Sequence, residues 1–298
     1  MMTSQLPRTP VEPAILLPPR SVPACAWATV LFGGALQQIG WLLLGFGMIF
    51  FYVFGLQADV SGPLLALMDT AQASGVVTSV EGTNASENDS PVYAIHYRFV
   101  AANGTKVEAT AYSTGYYPDE GQRVTVEYLR GRPQVARVEG MRRSMFGAAA
   151  LIVTIFPLIG AGITFFGLRE GIRASRLLGI GRLAFGKLTS AVPTSTTINN
   201  RPVMAMTFSF RAHDGATYEV TSNTNLPERV NDQTEELILY DPDDPTRGAA
   251  LDALPGSLQI DQSGTIRLGN AAACLTTLIL PGLTILGHGL YLWFRITT

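Results

Sequence analysis

Residues 145–168 of this 298-residue chain read MFGAAALIVTIFPLIGAGITFFGL, and this stretch decides the fold. No charged side chain interrupts it, and an α-helix of about 20 apolar residues is long enough to cross a hydrocarbon core roughly 30 Å thick. Pro157 lies within it, where a proline removes one helical hydrogen bond and favours a kink. The stretch predicts a transmembrane helix that separates two polar segments of similar sequence.

Two further apolar blocks, at residues 27–56 and 268–294, predict two more transmembrane helices. In the first of them Gly33, Gly40 and Gly47 recur every seven residues and so share one helix face. Small residues on one face let helix backbones approach closely in lipid. We therefore predict these glycines as helix-packing positions.

Three polar residues lie inside the predicted spans: Gln37, Gln38 and His288. At least one of the glutamines is expected to face another helix, because an amide group is poorly solvated by lipid. His288 lies between two glycines near the end of its span. A neutral, hydrogen-bonded histidine is the expectation there, and a proton relay is the alternative.

The polar segment at residues 75–140, here the first module, has the alternation of β-strands. The run VYAIHYRFV at residues 92–100 places apolar side chains on one face, and Asn103-Gly104 follows it. An Asn-Gly step between alternating runs predicts a hairpin with a type I′ turn. Further alternating runs bring the module to about five short strands, with an exposed loop at residues 84–90.

The polar segment at residues 183–257, the second module, repeats the first. Pro91 and Gly104 match Pro202 and Gly215 at an offset of 111, and Tyr128 matches Tyr240 at an offset of 112. These matches predict a duplication. The predicted fold class is a membrane α+β protein: three transmembrane helices with two small, duplicated, antiparallel β domains, barrel-like and of about five strands each.

The remaining segments have less pattern. Residues 1–26 are rich in proline and predict a disordered tail, and residues 169–182 predict a basic connector beside the membrane. Cys25 and Cys274 lie at the edges of apolar blocks, and we expect no disulfide framework from them.

Basic residues near the membrane predict the orientation. Three spans put the amino terminus and second module on one side, and the first module and carboxyl terminus on the other. The first of these sides has Arg8, Arg20, Arg169, Arg173, Arg176, Arg182, Lys187 and Arg267, and the other has Arg137, Arg142, Arg143 and Arg295. Because cytoplasmic flanks carry the excess of Lys and Arg, the count predicts a cytoplasmic amino terminus and second module and an exterior carboxyl terminus.

Several motifs resemble functional sites without meeting their requirements. Residues 181–187 approach the phosphate-binding loop, but Leu188 stands where that loop needs Ser or Thr, so we predict no nucleotide site. Asp241, Asp243 and Asp244 cluster between prolines, which predicts a turn, with a cation site as the alternative. His96, His213 and His288 have no metal-ligand spacing. We predict no catalytic residue, no cofactor and no metal.

Charge argues against nucleic acid as a partner. The chain has a net charge of −2, and the second module contains about twice as many acidic as basic side chains. Phosphate backbones bind to basic surfaces. The expected partners are membrane lipid, other membrane proteins and a second copy of the chain.

Both modules resemble a bacterial membrane-protein family known as domain of unknown function 3592. The resemblance rests on VYAIHYRFVAANGTKVEATAY, GQRVTVEYLRGRPQVARV and ELILYDPDDPTRGAALD, and on a tyrosine followed by a proline-bearing turn. It implies a membrane-anchored β domain and implies no known activity, and we expect the protein in the bacterial inner membrane. Our hypothesis is a non-enzymatic binding or scaffold protein with a module on each side of the membrane. The alternative is an accessory or regulatory subunit of a membrane transporter or enzyme complex.

Overall fold

The computed structural model describes residues 18–231, 233–260, 265–269 and 272–297. Most of the predicted tail at residues 1–26 lies outside these ranges. The chain forms two compact units: Phe46–Pro157 is one, and Met1–Gly45 with Leu158–Thr298 is the other.

Three helical segments are long and apolar enough to cross a membrane, as predicted: Ala35–Gly55, Ala148–Ile180 and Ala272–Thr297. Around the first, the structure differs from one continuous helix over residues 27–56. Helix α1 (Ala24–Phe32) ends at Gly33-Gly34, and α2 (Ala35–Phe50) follows and closes with a π-helical turn, Phe51–Gly55. The break is at Gly34, whose φ of 89° is open to glycine and strained for other residues.

A short helix, α3 (Ser61–Ala66), follows the first span. The second span begins as a 3₁₀ helix, Ala148–Thr154, and continues as α4 (Ile155–Ile180). Pro157 is therefore in the first turn of α4 and not in its interior, at a position where proline is tolerated. The predicted connector at residues 169–182 is helical up to Ile180. The third span is α6 (Ala272–Thr297), with Pro281 inside it, and α5 (Pro227–Val230) is a single turn.

The first sheet contains five antiparallel strands, in the order β3-β2-β1-β4-β5. These strands are β1 (Thr70–Glu87), β2 (Ser90–Val100), β3 (Lys106–Thr114), β4 (Arg123–Leu129) and β5 (Arg132–Val138). The central strand β1 is long because it pairs with β4 through its first half and with β2 from Gly75 onward. The buried face of the first sheet packs around Ile95, Tyr97 and Tyr128.

Two tight turns shape the first sheet. Strand β1 runs through most of the expected loop at residues 84–90, and the chain reverses at Asn88-Asp89, both with positive φ. This is the backbone of a type I′ turn. The hairpin at Asn103-Gly104 forms as predicted, but only Gly104 has a positive φ, and the N–H of Ala101 donates to the carbonyl of Thr105. The turn therefore spans three residues and is not type I′.

The second sheet repeats the strand order and the register of the first. Its strands are β6 (Arg182–Ile198), β7 (Arg201–Arg211), β8 (Thr217–Thr224), β9 (Glu236–Tyr240) and β10 (Gly248–Ala250), in the order β10-β9-β6-β7-β8. The register shift after Val77 has its counterpart after Leu188, again 111 residues on. Asn199-Asn200 form the equivalent positive-φ turn. A small hairpin, β11 (Leu258–Ile260) with β12 (Ile266–Leu268), follows.

The predicted five antiparallel strands in each module are confirmed, whereas closure into a barrel is not found in the described residues. Strands β3 and β5 end the first sheet, and β8 and β10 end the second. The helices and sheets together make the α+β architecture that the apolar blocks and alternating runs predicted.

The expectation that the cysteines form no disulfide was wrong. Cys25, in α1, is bonded to Cys274, in the first turn of α6, with their Cα atoms 5.5 Å apart. Spacing along the chain gave no sign of the bond, because 249 residues separate the partners. Only the packing of α1 beside α6 brings them together.

Candidate functional site

The glycines of the first span lie against other parts of the same chain. A Cβ added to Gly40 would be 2.9 Å from the backbone nitrogen of Thr164, and one added to Gly47 would be 2.7 Å from Pro157. Gly33 faces its own helix and Pro255. Gly40 and Gly47 therefore allow close contact with the second span.

Three polar contacts join the first span to the third. The Gln38 amide donates to the carbonyls of Phe32 and Thr277, at 2.8 and 3.0 Å. The Thr284 hydroxyl donates to Trp41 at 3.4 Å, and His288 Nε2 donates to Gly45 at 3.0 Å. Each bond satisfies a polar side chain with a backbone carbonyl, so these side chains link the first span to the third.

Gln37 faces the second span and not the third. Its side chain is 4% exposed, and a Cβ on Gly167 would overlap its carboxamide oxygen. Among the residues that the structure describes, neither polar atom of the Gln37 amide has a hydrogen-bond partner, and the Thr164 hydroxyl likewise has none. The structure thus places Gln37 and Gln38 at two different helix contacts.

The acidic turn in the second module uses its carboxylates locally. Asp241 accepts from the N–H of Asp243, and Asp244 accepts from Thr246 and pairs with Arg247 at 2.9 Å. The bonds from Thr246 lower the pKa of the Asp244 carboxyl. Among the described residues, no three His, Cys, Asp or Glu side chains are grouped as a metal site would require. The chain at residues 181–187 passes from helix to strand, the reverse of the order in a phosphate-binding loop.

A charged cluster joins the first sheet to the segment before the second span. Arg142 pairs with Glu87 at 2.7 Å and also donates to Thr114, and the N–H of Gly147 donates to Glu87. Burial alone would raise the pKa of the Glu87 carboxyl, but the bonds from Arg142, Gly147 and Thr114 outweigh it and lower the pKa.

A buried carboxylate makes a second tie between the ends of the first two spans. Asp59 accepts from the N–H of Ser61 at 2.7 Å and from the N–H of Arg143 at 2.6 Å. Burial opposes its ionisation, yet these bonds and the charge of Arg137 leave the Asp59 pKa below its ordinary value. The first module is therefore fixed to its helices by charge-assisted bonds.

The first module also has a surface cleft of about 310 Å³. Its walls are Val80, Gly82, Tyr93, Tyr117, Pro118, Asp119 and Glu120. The rings of Tyr93 and Tyr117 are 4.4 Å apart between centroids, at 50° to each other. Tyr117 is 47% exposed, and Tyr116, the residue before it in the chain, is 61% exposed. The cleft therefore opens beside two consecutive exposed tyrosines.

The loop that forms one wall of the cleft is held to β1. The Gln122 side chain accepts from the N–H of Asp119, and the N–H of Gly121 donates to Val77 at 2.9 Å. Gly121 has a φ of 81°, a conformation that glycine adopts without strain. The loop therefore presents the Asp119 and Glu120 carboxylates to solvent beside aromatic rings, which suits a cationic group.

The cleft residues are specific to the first copy. The second copy has Met204 at the position aligned with Tyr93, and its sequence at residues 225–235, the counterpart of the loop that contains Tyr117, includes no tyrosine. This site could not be predicted from the sequence, because its residues come from β1, β2 and the loop after β3, which only folding brings together. The one sign of the site in the sequence was the run Tyr116-Tyr117-Pro118, which the second copy does not share.

Comparison with known proteins adds little to these observations. No protein-family model matches the chain, and no curated protein matches it. Among solved structures, a chain from a replication protein A heterotrimer bound to ssDNA is similar with a TM-score of 0.17 and 8% identity, over 72% of this chain and 51% of that one. The match spans about half of that chain's length, and a TM-score of this size supports no inference about fold or function.

Proposed function

We propose that the chain is a non-enzymatic binding protein of a bacterial inner membrane, with one β module on each side. The spans Ala35–Gly55, Ala148–Ile180 and Ala272–Thr297 support the membrane location. A single span lies between the modules in the chain, so they belong to opposite faces. The resemblance to domain of unknown function 3592 is part of this proposal.

The observation that carries the binding role is the cleft of the first module. It combines the exposed side chain of Tyr117 and the half-buried side chain of Tyr93 with the carboxylates of Asp119 and Glu120. Tyrosine is enriched at protein interfaces because its ring supplies apolar area and its hydroxyl a hydrogen bond. The expected partner is a protein that presents a lysine or arginine side chain to the two carboxylates.

Site-specific photo-crosslinking tests this role. A photoreactive amino acid at position 117 of the full-length protein, in its native membrane, is expected to capture a discrete partner. The same group at position 228, in the corresponding loop of the second copy, is the control. Asp119→Asn with Glu120→Gln should abolish capture at 117, and capture that survives this change would count against a cationic contact.

The accessory-subunit alternative needs a different surface. Gly40 and Gly47 lie against Thr164 and Pro157 of the chain's own second span, so they do not offer a free face to another protein. Purification in mild detergent separates the two roles: a stoichiometric integral-membrane partner favours the accessory subunit, and a partner captured only at position 117 favours the binding module.

A further inference from the structure

The disulfide belongs to the packed part of the fold. Cys274 is 5% exposed, and the Cα separation of 5.5 Å from Cys25 is in the range of native disulfides, roughly 4.4–6.8 Å. Cys25 is the second residue of α1 and Cys274 the third of α6. The bond therefore lies at the starts of the segments that lead into the first and third spans.

The same end of the molecule includes the second module. Ala26 and Val30 of α1 are buried in one hydrophobic cluster with Leu178 and with Leu239 and Leu258 of the second module's segment. The N–H of Arg20 donates to Gly179 at 3.1 Å. Helix α1, its disulfide and the second sheet share this core, so they must lie on the same side of a membrane.

Formation of the bond requires an oxidant. The two thiols give up two protons and two electrons, and a disulfide of an exported thiol oxidase accepts them and becomes a dithiol. Such oxidants act in the periplasm or at the cell surface, whereas the cytoplasm keeps thiols reduced. We propose that Cys25, Cys274 and the second module lie on the extracytoplasmic side, and that the first module lies in the cytoplasm.

This orientation reverses the one that the count of basic residues predicted. That count is most reliable for short loops, up to about 60 residues, since longer domains cross the membrane largely regardless of charge. The segments at residues 56–147 and 181–271 both exceed this length. In addition, Arg173 pairs with Glu170, and Arg142 and Arg143 flank the second span on the opposite side. The disulfide is the stronger indicator of compartment.

The redox state in growing cells is the first test. Thiols are trapped by acid and alkylated with a maleimide that changes electrophoretic mobility, on the full-length protein without reductant. The expected result is an unmodified protein that gains two adducts only after reduction. Two adducts without prior reduction would place the cysteines in a reducing compartment and overturn the proposal.

Matched cysteines in the two modules give the second test. Ser86 and Thr197 are both exposed and occupy equivalent hairpin positions, opposite Pro91 and Pro202. Ser86→Cys and Thr197→Cys are made singly, in the wild type and in a Cys25→Ala/Cys274→Ala background. An impermeant maleimide on cells with a permeabilised outer membrane is expected to label position 197, and position 86 only after lysis.

The outcomes separate cleanly. Labelling at position 86 alone, at both positions or at neither before lysis overturns the proposed orientation. The labelling pattern must be the same in both backgrounds. Agreement excludes disulfide exchange between the new cysteine and the native pair, and it excludes misfolding of the protein that lacks the native pair. Crosslinking at position 117 is independent of the result, because the binding role requires only that the partner be in the compartment of the first module.

Discussion

His288 donates a hydrogen bond from its Nε2 to the backbone carbonyl of Gly45, with 3.0 Å between the two atoms. A Cβ on Gly45 would also meet the Thr284 hydroxyl at 2.5 Å, so the helices are in close contact here. The histidine thus acts in the packing of the first and third spans, as the expected hydrogen-bonded histidine would.

We expect His288→Phe to weaken the helix bundle. Loss of a side-chain hydrogen bond between helices in a bilayer costs about 0.6–1.7 kcal/mol. The free energy of unfolding in mixed micelles measures the effect. Leu290→Phe, at a position that is 66% exposed, is the control and should be neutral. Equal effects of the two changes would show that the bond contributes nothing.

We expect Gly40→Ala to destabilise the protein and Gly282→Ala not to. The new Cβ at position 40 would meet the Thr164 backbone at 2.9 Å, whereas no atom of the described part of the chain lies within 4 Å of a Cβ at position 282. Overpacking costs about 1–3 kcal/mol, and alanine in an open helix position is favourable. Unfolding in mixed micelles compares the two variants. If Gly40→Ala leaves the free energy of unfolding unchanged, the first and second spans separate easily at this contact.

Each module should depend on one tyrosine hydroxyl. Tyr128 accepts from the N–H of Ala102 at 2.9 Å, and Tyr240 accepts from the N–H of His213 at 3.0 Å, so the duplicated tyrosine fixes the hairpin turn in both copies. Tyr128→Phe and Tyr240→Phe should each cost about 0.5–1.5 kcal/mol. Hydrogen exchange at the Ala102 and His213 amides measures the loss locally. The control variant is Tyr116→Phe. If exchange at the Ala102 and His213 amides is no faster than in this control, the tyrosine hydroxyls do not fix the hairpin turns.

The first module should lose stability in acid through Glu87. Its pKa is lower in the folded protein than in the unfolded chain, so its contribution is present above the unfolded pKa of about 4.3 and is lost as the pH falls through the folded value. The midpoint of thermal unfolding, followed by circular dichroism across this pH range, should fall. Glu87→Gln should flatten the dependence, and Glu139→Gln, at an exposed position, should leave it unchanged.

Sequence patterns predicted the elements better than their ends. Apolar length identified three spans, and alternation identified five strands in each module, because burial in lipid and in a sheet leaves a period in the sequence. The Asn103-Gly104 hairpin followed from turn chemistry. The Asn88-Asp89 turn was missed because Asn and Asp also occur in loops, and the long strand β1 was missed because its outer part is exposed and polar.

The contacts between distant residues could not be predicted. The pairing of Tyr93 with Tyr117, of Glu87 with Arg142, and of Cys25 with Cys274 depends on three-dimensional packing that no local pattern encodes. The shared tyrosines at 128 and 240 were visible as a repeat. Their bond to the turn appears only when the strands are placed side by side.

The disulfide makes most of this chain a closed covalent ring. The ring runs from Cys25 to Cys274 and includes both sheets and the whole second span. A protease that cuts a single peptide bond within it opens the ring without releasing a fragment, and the two pieces separate only when the disulfide is also reduced. A module nicked in the envelope would therefore stay attached to its membrane helices.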